Sequence, residues 1–135
     1  MRHHHSAQLR WSDPDMLGHV NHARMLGLIE DARIALCLQA PRRDDSGVGG
    51  VILVHLDVDY LRQVRYRVDE SLPIESWVVK VGTKSFTLRQ EMSQGGDVVA
   101  RVDAVCVAFD YATDSSRPLD DDERAFWSRY LEDAS

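Results

Sequence analysis

The hydrophobic period of the sequence changes near residue 50, and that change constrains the fold more than any other feature. From Asn21 to about Leu38 the apolar residues Met25, Leu28, Ile29, Ala32, Ala35 and Leu36 recur at spacings of three and four, which places them on one face of a helix. Asn21 is positioned to cap this helix, and Pro41 with the polar run PRRDDSGVGG supplies its stop. From Val51 the period is two: Ile52, Val54, Leu56, Val58 and Tyr60 fall on one side and His55, Asp57 and Asp59 on the other, as in a half-buried antiparallel strand. Leu72 to Val81, Ser85 to Met92 and Val98 to Tyr111 read as three further strands, with VGTKS and SQGGD as the turns between them. A short strand over residues 7–11 opens the order. A terminal helix over about 120–132 closes it, capped by Asp120 or Asp121 and packing through Phe126, Trp127, Tyr130 and Leu131. Strands in hairpin succession make the sheet mainly antiparallel, and one long apolar helix has to bury its face against it. The fold class is α+β.

At 135 residues the chain is expected to be one domain, 1–135, with a short amino-terminal tail over about 1–6. Hydrophobic residues at 44% and charged residues at 28% mark it as globular rather than disordered. No apolar run approaches the roughly 18 to 20 residues that cross a bilayer, and no apolar core of about 7 to 15 follows the first basic residues as in a secretory signal. No membrane association and a cytoplasmic location are the expectations. The net charge of -6 argues against general nucleic-acid binding, so an anionic ligand would need a local basic site. Cys37 and Cys106 lie among apolar neighbours without CxxC spacing, which reads as buried free thiols. His3, His4 and His5 sit at a terminus expected to fray and receive no metal-binding role.

Several catalytic patterns are missing: GxSxG, GxxxxGK[ST] and HExxH do not occur, and GVGG at 47–50 does not complete a dinucleotide fingerprint. What remains is RWSDPDMLGHVNHARMLGLIEDAR, from Arg10 to Arg33. Asp15 precedes the helix cap by six residues, and a turn at Gly18 brings its carboxylate toward the first free amides of the helix. Those amides are unsatisfied donors at the positive end of the helix dipole, suited to an oxyanion. An ionised carboxylate beside them either attacks an activated acyl carbon or draws a proton from water that attacks instead. A thioester suits so weak a nucleophile better than an amide does. Asp-Pro-Asp ahead of a helix is also ordinary turn chemistry, with Asp13 bonding local amides, and the residues by themselves leave that alternative open.

The same stretch, with DYLRQVRYRVDESLPIESWVVKVGTKSFTLRQEM, resembles the 4-hydroxybenzoyl-CoA thioesterase-like branch of the hotdog-fold acyl-CoA thioesterases, from about Leu9 to about Pro118. The resemblance implies a hotdog fold, an antiparallel sheet wrapped around a long central helix, assembled as a homodimer or homotetramer. It implies hydrolysis of an acyl-CoA or acyl-carrier-protein thioester without a cofactor or a metal. By it Asp15 matches the catalytic carboxylate, Gly18 the turn glycine, and the backbone amide of His22 the group that polarises the thioester carbonyl. Lys84 and Ser85 match a turn near CoA in relatives. Arg117 lies where basic residues reach CoA phosphates, with a solvated surface charge as the alternative.

Asn21, His22 and Met25 depart from the family's Asn-Asn followed by an aromatic residue, which bears on the shape of the acyl pocket. His19 either bonds the acid or a water, or orients the loop. A metal triad of Asp15, His19 and His22 is disfavoured, because Gly18 and the cap at Asn21 break the helical continuity it needs. Glu30 has a counterpart in the helix acid of another hotdog branch, against an ion-pairing or dimer-facing role. Asp13 is assigned to loop support. Two other functions compete: a non-catalytic module that holds an acyl-CoA or other acyl ligand, and a hotdog hydratase or dehydratase, whose Asp-x-Asn-Pro-x-His spacing DPDMLGH lacks.

Overall fold

The amino-terminal histidine run is a strand. In a computed structural model that describes residues 1–41 and 50–132, β1 covers His3–Gln8, rather than the short strand expected over 7–11. β2, His19–Val20, leads into α1, His22–Cys37. β3, Val51–Tyr60, and β4, Val64–Arg65, follow. Then come β5, Ser71–Val81, β6, Ser85–Gln94, and β7, Asp97–Asp110. The two-residue β8, Ser115–Ser116, and α2, Asp121–Ser128, complete the order. The polar stop expected after Pro41 lies, from 42 to 49, outside the described residues.

The main sheet runs β1-β5-β6-β7-β3, with β8 paired to β7, and every pairing is antiparallel. Helix α1 lays Met25, Leu28, Ile29, Ala32 and Leu36 against it, where they meet Leu72, Ile74, Val78, Phe86, Leu88, Met92, Val102 and Ala104 in one apolar cluster. This antiparallel sheet curled around a long helix is the hotdog fold. Each of the buried Val, Leu, Ile, Met and Phe side chains among them contributes on the order of 1.5–3 kcal/mol, so the helical stripe and the strand alternation stabilise each other. No described helix is long and apolar enough to cross a membrane.

Local departures from the sequence reading have identifiable causes. β1 forms because the outer edge of β5 offers unpaired backbone groups, which pair with His3, His4 and His5 whatever their side chains. Arg2 ties the terminus down, bonding Glu75 at 2.8 Å and Glu132 at 2.9 Å and lying 3.7 Å from the centre of the Trp77 ring. In β3 the register slips between Leu53 and His55, and this bulge turns Val54 out to 53% exposure, off the core side. At the carboxyl end Asp120 makes a reciprocal capping box with Glu123. Phe126, Trp127 and Tyr130 are buried, but α2 ends at Ser128 and Leu131 falls out of helical phase, half exposed.

Candidate active site

The loop that carries Asp15 is fixed at both ends before any ligand arrives. Asp13 is fully buried, its Oδ2 accepting the Arg10 amide at 2.8 Å, with Arg10 and Arg24 guanidinium groups at 3.3 and 3.8 Å from Oδ1. That is the supporting role expected of it. Beyond it, β2 pairs with β4, His19 against Arg65 and Val20 against Val64, and the Tyr66 amide donates to Gly18 O at 3.1 Å. Between these anchors the chain turns at Gly18, whose φ of 79° lies in the left-handed region that side chains disfavour. The Asp15 amide donates to His19 O at 2.8 Å, and Asp15 Oδ1 accepts from the Leu17 and His19 amides at 2.9 and 3.3 Å. The turn thus grips one carboxylate oxygen. Oδ2 makes no hydrogen bond among the described residues.

Helix α1 begins one residue after this ladder. Asn21 caps it, with its side chain accepting from Arg24 N at 3.0 Å and its carbonyl from Met25 N at 3.0 Å. The amides of His22 and Ala23 find no acceptor among the described residues, leaving two donors at the positive end of the dipole. Asp15, His19, His22 and Ala23 border one cleft of about 760 Å³, together with buried Met25. The Asp15 turn and the start of the helix therefore border the same space.

The far wall comes from residues to which the sequence reading gave no site role. Tyr60, Leu61, Arg62 and Gln63, at the end of β3, border the cleft. The Tyr60 ring stacks on His22 with centroids 4.1 Å apart and planes 16° from parallel, and its hydroxyl donates to His22 O at 3.3 Å. Arg62 brings a cation to the border of the cleft in a chain whose net charge is -6. The available signal was DYLRQV itself, which places an aromatic residue and a cation where a strand runs out.

Other candidates lie elsewhere. The Lys84 carbonyl accepts from Ala108 N at 2.8 Å, and Arg117 N donates to Ala108 O at 2.9 Å. Across β3, Val51 pairs with Ala108 and Tyr60 with Ala100, so Lys84, Ser85 and Arg117 stand at the opposite end of the strand, roughly 30 Å away at about 3.3 Å per residue. Arg117 is no free surface charge: its Nη1 and Nη2 bond Glu123 Oε1 and Oε2 at 2.6 and 3.0 Å. Glu30 borders a second cavity, between the carboxyl half of α1 and the start of β3.

Comparison with known proteins bears on the family and the fold. The family model described as the thioesterase-like superfamily matches residues 9–126. No curated relative matches the sequence. Among solved structures, a predicted thioesterase from Bacillus stearothermophilus superposes with a TM-score of 0.89 at 23% identity, covering 100% of both chains. A thioesterase from Thermus thermophilus complexed with coenzyme A and Zn gives 0.78 at 26% identity, over 90% of this chain and 94% of that one. A DHNA-CoA thioesterase from Staphylococcus aureus gives 0.78 at 19% identity, over 95% and 89%.

Proposed function

Because the chain belongs to the thioesterase-like superfamily, we propose that it hydrolyses an acyl-CoA thioester to the free acid and CoA, with Asp15 as the reacting carboxylate. The observation that carries this reading is the opening of Asp15 and the unpaired His22 and Ala23 amides onto the same cleft. A thioester carbonyl oxygen set on those amides turns its carbon toward Asp15 Oδ2. Attack by Oδ2 forms a C–O bond and gives an oxyanion held by the two N–H groups. Collapse then breaks the C–S bond, and the CoA thiolate leaves and takes a proton from water. Water hydrolyses the resulting mixed anhydride and restores the carboxylate. In the general-base variant the same oxygen removes a proton from the water that attacks. His19 orients the loop through its backbone bonds to Asp15.

CoA as the carrier is favoured by the Thermus thermophilus thioesterase, which holds coenzyme A. A homodimer is part of the proposal. The outer edge of β3 has no strand partner among the described residues, and it exposes Leu53 and Val54. Two such edges paired antiparallel would set the Val51 end of one copy beside the Tyr60 end of the other, carrying Lys84 and Ser85 of the second copy toward the cleft.

The test is thiol release from a panel of short, long and aromatic acyl-CoAs by the wild type and Asp15→Asn, with CoA binding followed separately. The asparagine amide oxygen still accepts the Leu17 and His19 amides, so the loop is kept while the charge is lost. Turnover is expected to fall by about 10²–10⁴-fold with CoA affinity unchanged. Undiminished turnover in the variant would reject Asp15. Binding without turnover of any thioester in the wild type would reject the enzyme.

A further inference from the structure

The strand that closes the Asp15 turn belongs to a ladder too short to hold itself. β2 and β4 pair through two residues a side, His19 with Arg65 and Val20 with Val64, and they form a sheet of their own, apart from the main one. A two-stranded pairing is marginal in water by itself. Val20 and Val64 are buried in the core, which holds the ladder down, but apolar burial is non-directional and does not fix how the backbone lies.

The directional restraint comes from the end of β6. Gln94, its last residue, meets both backbone groups of Arg65 with one side chain: the Arg65 amide donates to Gln94 Oε1 at 3.1 Å, and Gln94 Nε2 donates to Arg65 O at 2.8 Å. In an antiparallel strand the N–H and C=O of one residue point to the same edge, so Gln94 takes for Arg65 the place of a neighbouring strand. Its orientation is set as well. Nε2 also donates to Glu70 Oε1 at 3.2 Å, and a carboxylate only accepts, so the amide cannot turn over without setting oxygen against oxygen. From Arg65 the restraint passes to Asp15 through backbone bonds. The Tyr66 amide donates to Gly18 O at 3.1 Å, and His19, opposite Arg65, bonds Asp15 from both of its backbone groups. Its carbonyl accepts the Asp15 amide at 2.8 Å and its amide donates to Asp15 Oδ1 at 3.3 Å.

We propose that Gln94 is a positioning residue for Asp15: by clamping Arg65 of β4 it fixes β2, and through β2 the turn that aims the carboxylate. Gln94 is not among the residues that border the cleft, so it acts on the reaction through Asp15 and not through the substrate. The inference rests on the reading of Asp15 as the reacting carboxylate. A reacting group misplaced by about 1 Å loses on the order of 10²-fold in rate. That loss falls on kcat, because the walls that hold the substrate keep their residues.

Gln94→Met keeps the length of the side chain and removes both bonds to Arg65. Amide hydrogen exchange of the full chain, followed by NMR, reads the link without any substrate. The His19 and Tyr66 amides should exchange about tenfold faster than in the wild type, while those of Leu88 and Ala104, in the middle of the main sheet, keep their rates. Acyl-CoA turnover is the second arm, with the wild type, Gln94→Met, Asp15→Asn and the double variant. In Gln94→Met kcat should fall by about tenfold to a hundredfold with KM within about twofold, and the change should cost nothing further once Asp15→Asn is present. Unchanged exchange at His19 and Tyr66, or an equal fall in kcat with and without Asp15→Asn, overturns the proposal. Undiminished turnover in Asp15→Asn rejects the reading of Asp15 and the positioning role with it; failure of Gln94 alone differs, since Asp15→Asn is then slow and Gln94→Met is not. Should exchange rise throughout the sheet in Gln94→Met, Gln94→Glu takes its place, keeping the acceptor for the Arg65 amide and setting a carboxylate against Arg65 O and Glu70. Wild-type kcat in that variant overturns the proposal too.

Discussion

Replacing Gly18 with alanine tests the geometry of the Asp15 turn through a sign as well as a size. At φ 79° the backbone sits in the left-handed region, which costs an L residue roughly 1–2 kcal/mol. A Cβ built on Gly18 meets nothing within 4 Å, so no steric clash is added and the penalty is that of the backbone. With a urea m-value of about 2 kcal/mol/M, the unfolding midpoint of Gly18→Ala should fall by roughly 0.5–1 M. Gly18→Asn should lie between it and the wild type, because asparagine tolerates this region. Acyl-CoA hydrolysis by the folded Gly18→Ala protein should drop by about tenfold to a hundredfold, the cost of misplacing a reacting group by about 1 Å. The measurements are urea titration by fluorescence and initial thiol release under folding conditions. At a position with ordinary negative φ, glycine to alanine stabilises by about 0.4–1 kcal/mol through the unfolded chain. A Gly18→Ala protein that is more stable than the wild type would therefore refute the turn.

Arg117→Met removes the guanidinium that answers the buried Glu123 carboxylate and should cost about 3 kcal/mol in chemical denaturation, whereas Lys84→Met, at an exposed position, should change stability by less than about 0.5 kcal/mol. Equal effects would show that Arg117 is a solvated charge. Asn21→Ala deletes the acceptor for the Arg24 amide and should cost about 1 kcal/mol, seen by calorimetry as a melting temperature lower by a few degrees. Alkaline pH should destabilise the fold through the two thiols: both are raised in the folded state, so the unfolded chain loses its protons first. That contribution is intact below the ordinary thiol range near 9, and stability declines from there through about 11 to 12. Cys37→Ser with Cys106→Ala should flatten that part of the pH profile in urea titrations.

The turn and the helix start were legible because their causes are local. Asn21 caps α1 through Arg24, three residues on, and Gly18 closes a loop only four residues wide between Asp15 and His19. The strands from Ser71 to Asp110 follow from alternation and glycine turns for the same reason. Misses cluster where a partner distant in sequence decides. Val54 keeps the apolar alternation of its neighbours, yet the bulge opposite β7 turns it outward. The histidine run looks like a frayed end until the edge of β5 and the anchoring of Arg2 by Glu75 and Glu132 are present.

The amino-acid sequence by itself determined the α+β class, the helix register, and the glycine turn ahead of the helix cap, since each depends on periodicity or on contacts within a few residues. Only the tertiary structure decided that Tyr60 and Arg62 wall the same cleft, that Lys84 stands at the far end of β3, and that Arg33 is buried against Gln90. Those outcomes depend on how strands distant in sequence order themselves in the sheet, and side-chain alternation fixes which face a residue takes without fixing which strand lies next to it.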